Sequence, residues 1–159
     1  MKFSLESNHK HARAGRLSVN NKTINTPAFM TIGTYGSVKT MDAFDLKKCN
    51  VEIILSNAFH LMLRPGTALI EKFGGLHKLM NWDGLILTDS GGYQVFSLGK
   101  DIKITDVGAE FRSPFNGDKV LMTPEISIDV QTKINTDIMM IIDECIKYPS
   151  NVSLSLIHI

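Results

Sequence analysis

Short apolar runs that alternate with helical patterns constrain this chain more than any other feature. Residues 27–33 (PAFMTIG), 51–56 (VEIILS), 85–87 (LIL) and 137–142 (DIMMII) read as buried strands. Between the first two, Thr40 is expected to cap a helix with Asp42 in its first turn, Lys47 and Lys48 in its last, and Asn50 closing it. Between the second and third, residues 67–73 form a short helix with Leu69, Ile70 and Phe73 on one side, stopped by Gly74-Gly75. Before the fourth, Thr123-Pro124-Glu125 opens a helix whose Ile126, Val130 and Ile134 keep i, i+4 spacing. Strands alternating with helices imply an α/β fold with a parallel sheet and right-handed crossovers. Four such strands make either a small doubly wound sheet or about half of an eight-stranded barrel. The glycine fingerprint of dinucleotide sites does not follow the first strand, which lowers the nucleotide-binding alternative. Two hairpins punctuate the pattern, one over residues 13–26 around Asn20-Asn21 and one over residues 110–122 around Asn116-Gly117.

Composition narrows the class. A chain of 159 residues fits one domain with a sizeable core. Its 43% hydrophobic and 21% charged content is that of a soluble globular protein, and no apolar run approaches the roughly 20 residues of a membrane span. The opening MKFSLESNHKHARAG holds no continuous apolar core, so it does not read as a signal peptide. Cys49 and Cys145 lie far apart, which suits reduced thiols in a cytoplasm. Without a paired-cysteine motif, and with five scattered histidines, no zinc site is expected in this chain. Lys and Arg (17) nearly balance Asp and Glu (16). A protein that holds RNA by counterion release shows a basic patch, so any such grip would lie mostly elsewhere.

The chemistry gathers at strand ends. Asn57 follows the second strand, Asp89 the third and Asp143 the fourth. In a parallel barrel these ends share the face that carries active sites. The densest stretch is residues 84–98, GLILTDSGGYQVFSL, where an apolar run ends in Thr88-Asp89 and opens at once into Ser90, Gly91, Gly92, Tyr93 and Gln94. Two readings compete: a carboxylate offered to a ligand at a sheet edge, or a strand end with ordinary turn chemistry. Periodicity alone leads only to a polar pocket at the sheet's carboxyl edge.

Five blocks, TDSGGYQVFSL, NAFHLMLRPG, GLHKLMNWDG, FRSPFNGDKVLMTPE and DIMMIIDEC, carry a resemblance. Lying in order between residues 57 and 145, within a resemblance that runs over residues 13–149 at matching spacing, they resemble the amino-terminal half of the tRNA-guanine transglycosylase (queuine tRNA-ribosyltransferase) family, bacterial type. The resemblance implies a (β/α)8 TIM barrel that exchanges the wobble guanine of certain tRNAs for a 7-deazaguanine, a step of queuosine biosynthesis. The expected fold is thus about half of that barrel, with an amino-terminal β-hairpin and a second hairpin insertion. Residues 1–149 are the family portion, and 150–159 a tail that does not match it. By resemblance, Asp89 is the acid/base carboxylate and one of the substrate-binding residues, and Asp143 is the acid that recognises the base. Tyr93 would stack on the flipped-out base, and Ser90, Gly91 and Gly92 would form the pocket floor. Asn57 either orients Asp89 or is a plain strand-end turn residue; Gln94 is a further supporting residue. Cys145 is expected to be a small side chain beside the pocket and not a nucleophile, and His60 a structural hydrogen-bonder. The resemblance implies that the aspartate nucleophile, most tRNA contacts and a structural zinc site belong to the other half of the family's barrel. The full-length family also implies a homodimer. The chain is therefore expected to be a truncated or chimeric reading frame, inactive alone. A non-catalytic tRNA-binding accessory subunit is the alternative, although the presence of both Asp89 and Asp143 speaks against it.

Overall fold

In the computed structural model, the described residues are 1–98, 100–146 and 148–155. The chain opens with an antiparallel sheet of β1 (Lys2–His9), β2 (Ala12–Val19) and β3 (Lys22–Thr26). There follow β4 (Thr31–Ile32), α1 (Ala43–Lys48), β5 (Ile53–Ser56), α2 (Ala58–Leu63), α3 (Thr67–Phe73), α4 (Leu76–Met80) and β6 (Leu85–Thr88). After α5 (Gly92–Leu98) comes a second antiparallel sheet of β7 (Lys100–Thr105), β8 (Gly108–Arg112) and β9 (Lys119–Met122). The chain continues through α6 (Pro124–Ile134), β10 (Ile138–Met139) and α7 (Val152–Ser155).

The central sheet is parallel and runs β10-β6-β5-β4. Each new strand in chain order adds to the same edge, with no reversal of strand order. Ile54 pairs with Ile86 and Ser56 with Thr88, while Met139 also pairs with Thr88, so the carboxyl ends of three strands are level. The period-two alternation of strands separates two packing layers. Ile54 and Ile86 point at the helices and join Leu46, Leu61, Ile70, Leu76, Trp82, Val130 and Ile134 in the largest buried cluster. Ile53 and Leu85 point the other way and pack under Val19 and Ile24 of the amino-terminal sheet. A third cluster, Phe59, Val95, Phe111 and Met122, fastens the second antiparallel sheet to α2 and α5.

Several expectations need correction. Thr40 does not cap α1 and lies in the left-handed region (φ 67°). Asp42 caps it instead, its side chain accepting the Asp45 N–H at 2.8 Å while Asp45 reaches back to the Asp42 N–H. On α3 only Ile70 is buried; Leu69 and Phe73 are exposed. The run 27–33 yields a strand of two residues, because at the sheet edge it has only β5 to pair with. The run 137–142 shortens to β10 for a different reason. The N–H and C=O of Met140 are taken by the Gln131 side chain, which replaces a ladder partner. Each expected hairpin is two strands of a three-stranded sheet. The extra strand β1 is exposed at every residue, so no buried alternation marks it in the sequence. Residues 58–63 form α2, an element not expected from the sequence. In the tail, residues 156–159 lie outside the described residues.

Candidate active site

The site is built where β5 and β6 stop. The Asp89 N–H donates to the Ser56 carbonyl at 3.2 Å, extending the ladder one residue beyond β6. That bond aims the Asp89 carboxylate across the sheet at the start of α2. There Oδ1 accepts the Ala58 N–H at 2.9 Å, one of the amides a helix leaves unpaired in its first turn. Oδ2 accepts from the Asn57 side-chain amide and from Gln94 Nε2, the latter at 2.9 Å. Asn57 occupies the N-cap position of α2, yet its side chain makes no capping bond and is spent on Asp89. Three donors from three positions therefore fix one partly buried carboxylate.

The following residues link this carboxylate to a second one. Ser90 is buried, and its hydroxyl donates to Asp143 Oδ1 at 3.2 Å while accepting the Gly92 N–H at 3.3 Å. Gly91 holds φ +84°, the conformation the turn into α5 requires. Gly92 is glycine for a different reason: a Cβ there would collide with the Asp143 carbonyl oxygen and lie 3.1 Å from Oδ1. Tyr93 stands on α5 with 63% of its surface exposed beside this rim. Asp143 is exposed on the segment that follows β10. Cys145 is partly buried, and burial together with the neighbouring Asp143 pushes its thiol above the usual range, away from a reactive thiolate.

His60, on α2, lies edge-on to Tyr35 and Phe59. Burial lowers its pKa against the opposing pull of Asp89. Among the described residues His60 Nδ1 and Ser56 Oγ are buried without hydrogen-bond partners, so the hydrogen-bonding role expected of His60 is not seen at Nδ1. Among the described residues no group of three or more His, Cys, Asp or Glu side chains is placed to hold a metal ion, and no helix is long and apolar enough to cross a membrane.

Sequence reasoning missed a buried polar chain behind the rim. Thr88 Oγ1 donates to Gln131 Oε1 at 2.9 Å and lies 3.0 Å from Thr136 Oγ1. Ser127 Oγ donates to the Ser90 carbonyl at 2.8 Å. The available signal was the polar pair Ser127 and Gln131, spaced i, i+4 beside the apolar stripe of α6. Both are fully buried, where uncharged polar residues need a reason to be.

The amino-acid sequence matches a known family along nearly its whole length. A family model described as queuine tRNA-ribosyltransferase matches residues 7–154. The queuine tRNA-ribosyltransferase of Pseudoalteromonas translucida is 55% identical over 150 residues, covering 94% of this chain and 40% of the relative. That of Nitrosospira multiformis is 55% identical over 151 residues, covering 95% and 41%. That of Nitrosomonas eutropha is 53% identical over 155 residues, covering 98% and 43%. The chain thus spans about two fifths of the length of these curated relatives. With these matches, the chain belongs to the queuine tRNA-ribosyltransferase family.

Proposed function

We propose that this chain supplies the guanine-recognising side of a tRNA-guanine transglycosylase, an enzyme that exchanges the wobble guanine of tRNA for a 7-deazaguanine. The observation that carries the reading is the pairing of two carboxylates through one residue. Asp89 is held by three donors, and the next residue, Ser90, donates to Asp143. The unreversed strand order favours an arc of a (β/α)8 barrel over a doubly wound sheet, whose order reverses at its ligand crevice. In such a barrel the rim that carries both acids is the catalytic face.

Base exchange at a ribose C1′ with retention takes two displacements, with one carboxylate as nucleophile and another moving the proton. Asp89 takes the second role: it gives a proton to the departing guanine and accepts one from the incoming base. Asp143 recognises the base. The guanine edge presents N1–H and an exocyclic NH2 side by side, and two carboxylate oxygens accept both. Tyr93, exposed on the rim, stacks on the extruded base, a contact worth roughly 1–3 kcal/mol. Ser90, Gly91 and Gly92 floor the pocket, Asn57 and Gln94 orient Asp89, and Cys145 stays a neutral neighbour. The nucleophile is assigned to the part of the family that this chain does not span. A structural zinc of the Cys3His type does not fit the described residues, in which Cys49 and Cys145 stand apart. The whole enzyme would act on tRNA in the cytoplasm as a homodimer.

The test is complementation of queuosine-free cells by this chain joined to the carboxyl-terminal remainder of the Pseudoalteromonas translucida relative. Queuosine in tRNA that disappears with Asp89→Ala supports catalysis by this rim. Equal rescue by the Asp89→Ala protein would instead make the chain a scaffold.

A further inference from the structure

We propose that Gln131 is a positioning residue that fixes the geometry between Asp89 and Asp143 by standing in for the strand that β10 fails to continue. The inference rests on the roles proposed above for the two acids. Gln131 is fully buried on α6, and its amide is saturated. Oε1 accepts the Thr88 hydroxyl at 2.9 Å and the Met140 N–H at 2.9 Å. Nε2 donates to the Met140 carbonyl at 2.9 Å and to the Ser127 carbonyl at 3.2 Å. Two acceptor lone pairs and two protons are thus all used, the full capacity of a side-chain amide.

The partners matter more than the count. Met140 offers Gln131 both its donor and its acceptor, the pair a neighbouring strand would normally take. The chain beyond β10 is thereby held at a fixed height, three residues before Asp143. Thr88 immediately precedes Asp89, so the same amide grips the other acid's strand. Because the Thr88 proton goes to Gln131, Thr136 is the donor in the Thr88–Thr136 contact, which ties the start of β10 into the same chain. Ser127, one turn earlier on α6, donates to the Ser90 carbonyl on the far side of Asp89. Asp89 therefore lies between two residues tethered to one helix, and that helix also holds the Asp143 segment. A shift of about 1 Å between two cooperating groups costs on the order of a hundredfold in rate.

The test measures guanine exchange into tRNA by the joined protein described above, at a temperature where circular dichroism shows each variant fully folded. Gln131→Leu is expected to lower kcat at least tenfold with KM for tRNA within threefold. In the 159-residue chain itself it should also lower hydrogen-exchange protection of the Met140 amide at least tenfold. Where Gln131→Leu does not fold, Thr88→Val removes one tether with a good strand former and is expected to lower kcat at least threefold. A kcat within twofold of the unaltered protein, or a loss that only tracks the folded fraction, overturns the inference. Asp89→Asn and Asp143→Asn run beside it: if both retain exchange, the proposed function fails. If they abolish exchange and Gln131→Leu does not, only the positioning role fails.

Discussion

Gly92 sits where any side chain would strike the Asp143 carbonyl, so packing alone already calls for a glycine there. Gly92→Ala is expected to cost about 1–3 kcal/mol, the usual penalty of overpacking. Urea unfolding would measure that cost, and the variant should also displace Asp143 and weaken base binding. Wild-type stability in that variant would show that the 143 segment moves aside freely. At this scale the acids were legible only as polar groups at strand ends, where a turn residue or loop anchor is as ordinary a reading; the separate roles came from the resemblance. Asn57 was legible as a choice of two roles, and the structure places its amide on Asp89. Gln131 was hidden because a helix read by its apolar stripe does not show what its buried polar residues hold. Gly92 was legible as a turn residue, but its contact spans more than fifty positions in sequence, a separation that local patterns do not encode.

The amino-terminal sheet is held at the opposite end of the strands from the carboxylates, by a cluster around Asp137. Its side chain, 7% exposed, accepts from Lys22 Nζ at 3.1 Å and lies 2.8 Å from His77 Nε2. The same carboxylate accepts the Ile86 N–H at 3.0 Å, and Lys22 also donates to the Gly84 carbonyl at 2.9 Å. One acid thereby joins β3, α4 and β6 at the start of β10. In barrels this amino-terminal face serves stability. Burial alone would raise the Asp137 carboxyl, but the Ile86 N–H, Lys22 and His77 outweigh it and hold it below its ordinary 3.8. A carboxyl lowered in the folded state contributes stability that is fully present above the unfolded value and fades as pH falls through the folded one. Unfolding free energy is thus expected to drop as pH falls below 3.8, and Asp137→Asn should flatten that part of the profile. Removing one partner of a buried pair costs on the order of 3–5 kcal/mol, so Asp137→Ala should be severely destabilised in chemical denaturation. An unchanged acid limb in Asp137→Asn would assign the pH dependence to other carboxylates. Strand-and-helix alternation was readable for β5, β6, α3 and α6. The exposed strand β1 and the six-residue α2 were not, the first for want of a buried face and the second because a short apolar run fits loop or helix equally well.

Across the molecule, the parallel sheet ends at β4 on one side and β10 on the other, and large apolar side chains stand open near both. Phe29 is 82% exposed and Ile141 80%. Unpaired strand edges beside exposed apolar groups favour association. The 159-residue chain by itself is expected to scatter light as oligomers and to bind a hydrophobic dye. The joined protein should lose dye binding, and equal dye binding by both would show that these faces stay uncovered. The parallel sheet and its helical cover were legible from periodicity. The family was legible only from five blocks read together, since each alone is ordinary strand-end or turn chemistry. The central claim is that Asp89 and Asp143 serve one guanine pocket with different roles. The most direct measurement is a paired one on the joined protein, taking guanine affinity by equilibrium titration and labelled-guanine exchange into tRNA for each variant. Asp143→Asn is expected to lose base affinity and exchange together, while Asp89→Asn keeps affinity within threefold and loses exchange at least a hundredfold. Exchange that survives Asp89→Asn, or base affinity untouched by Asp143→Asn, would contradict the account.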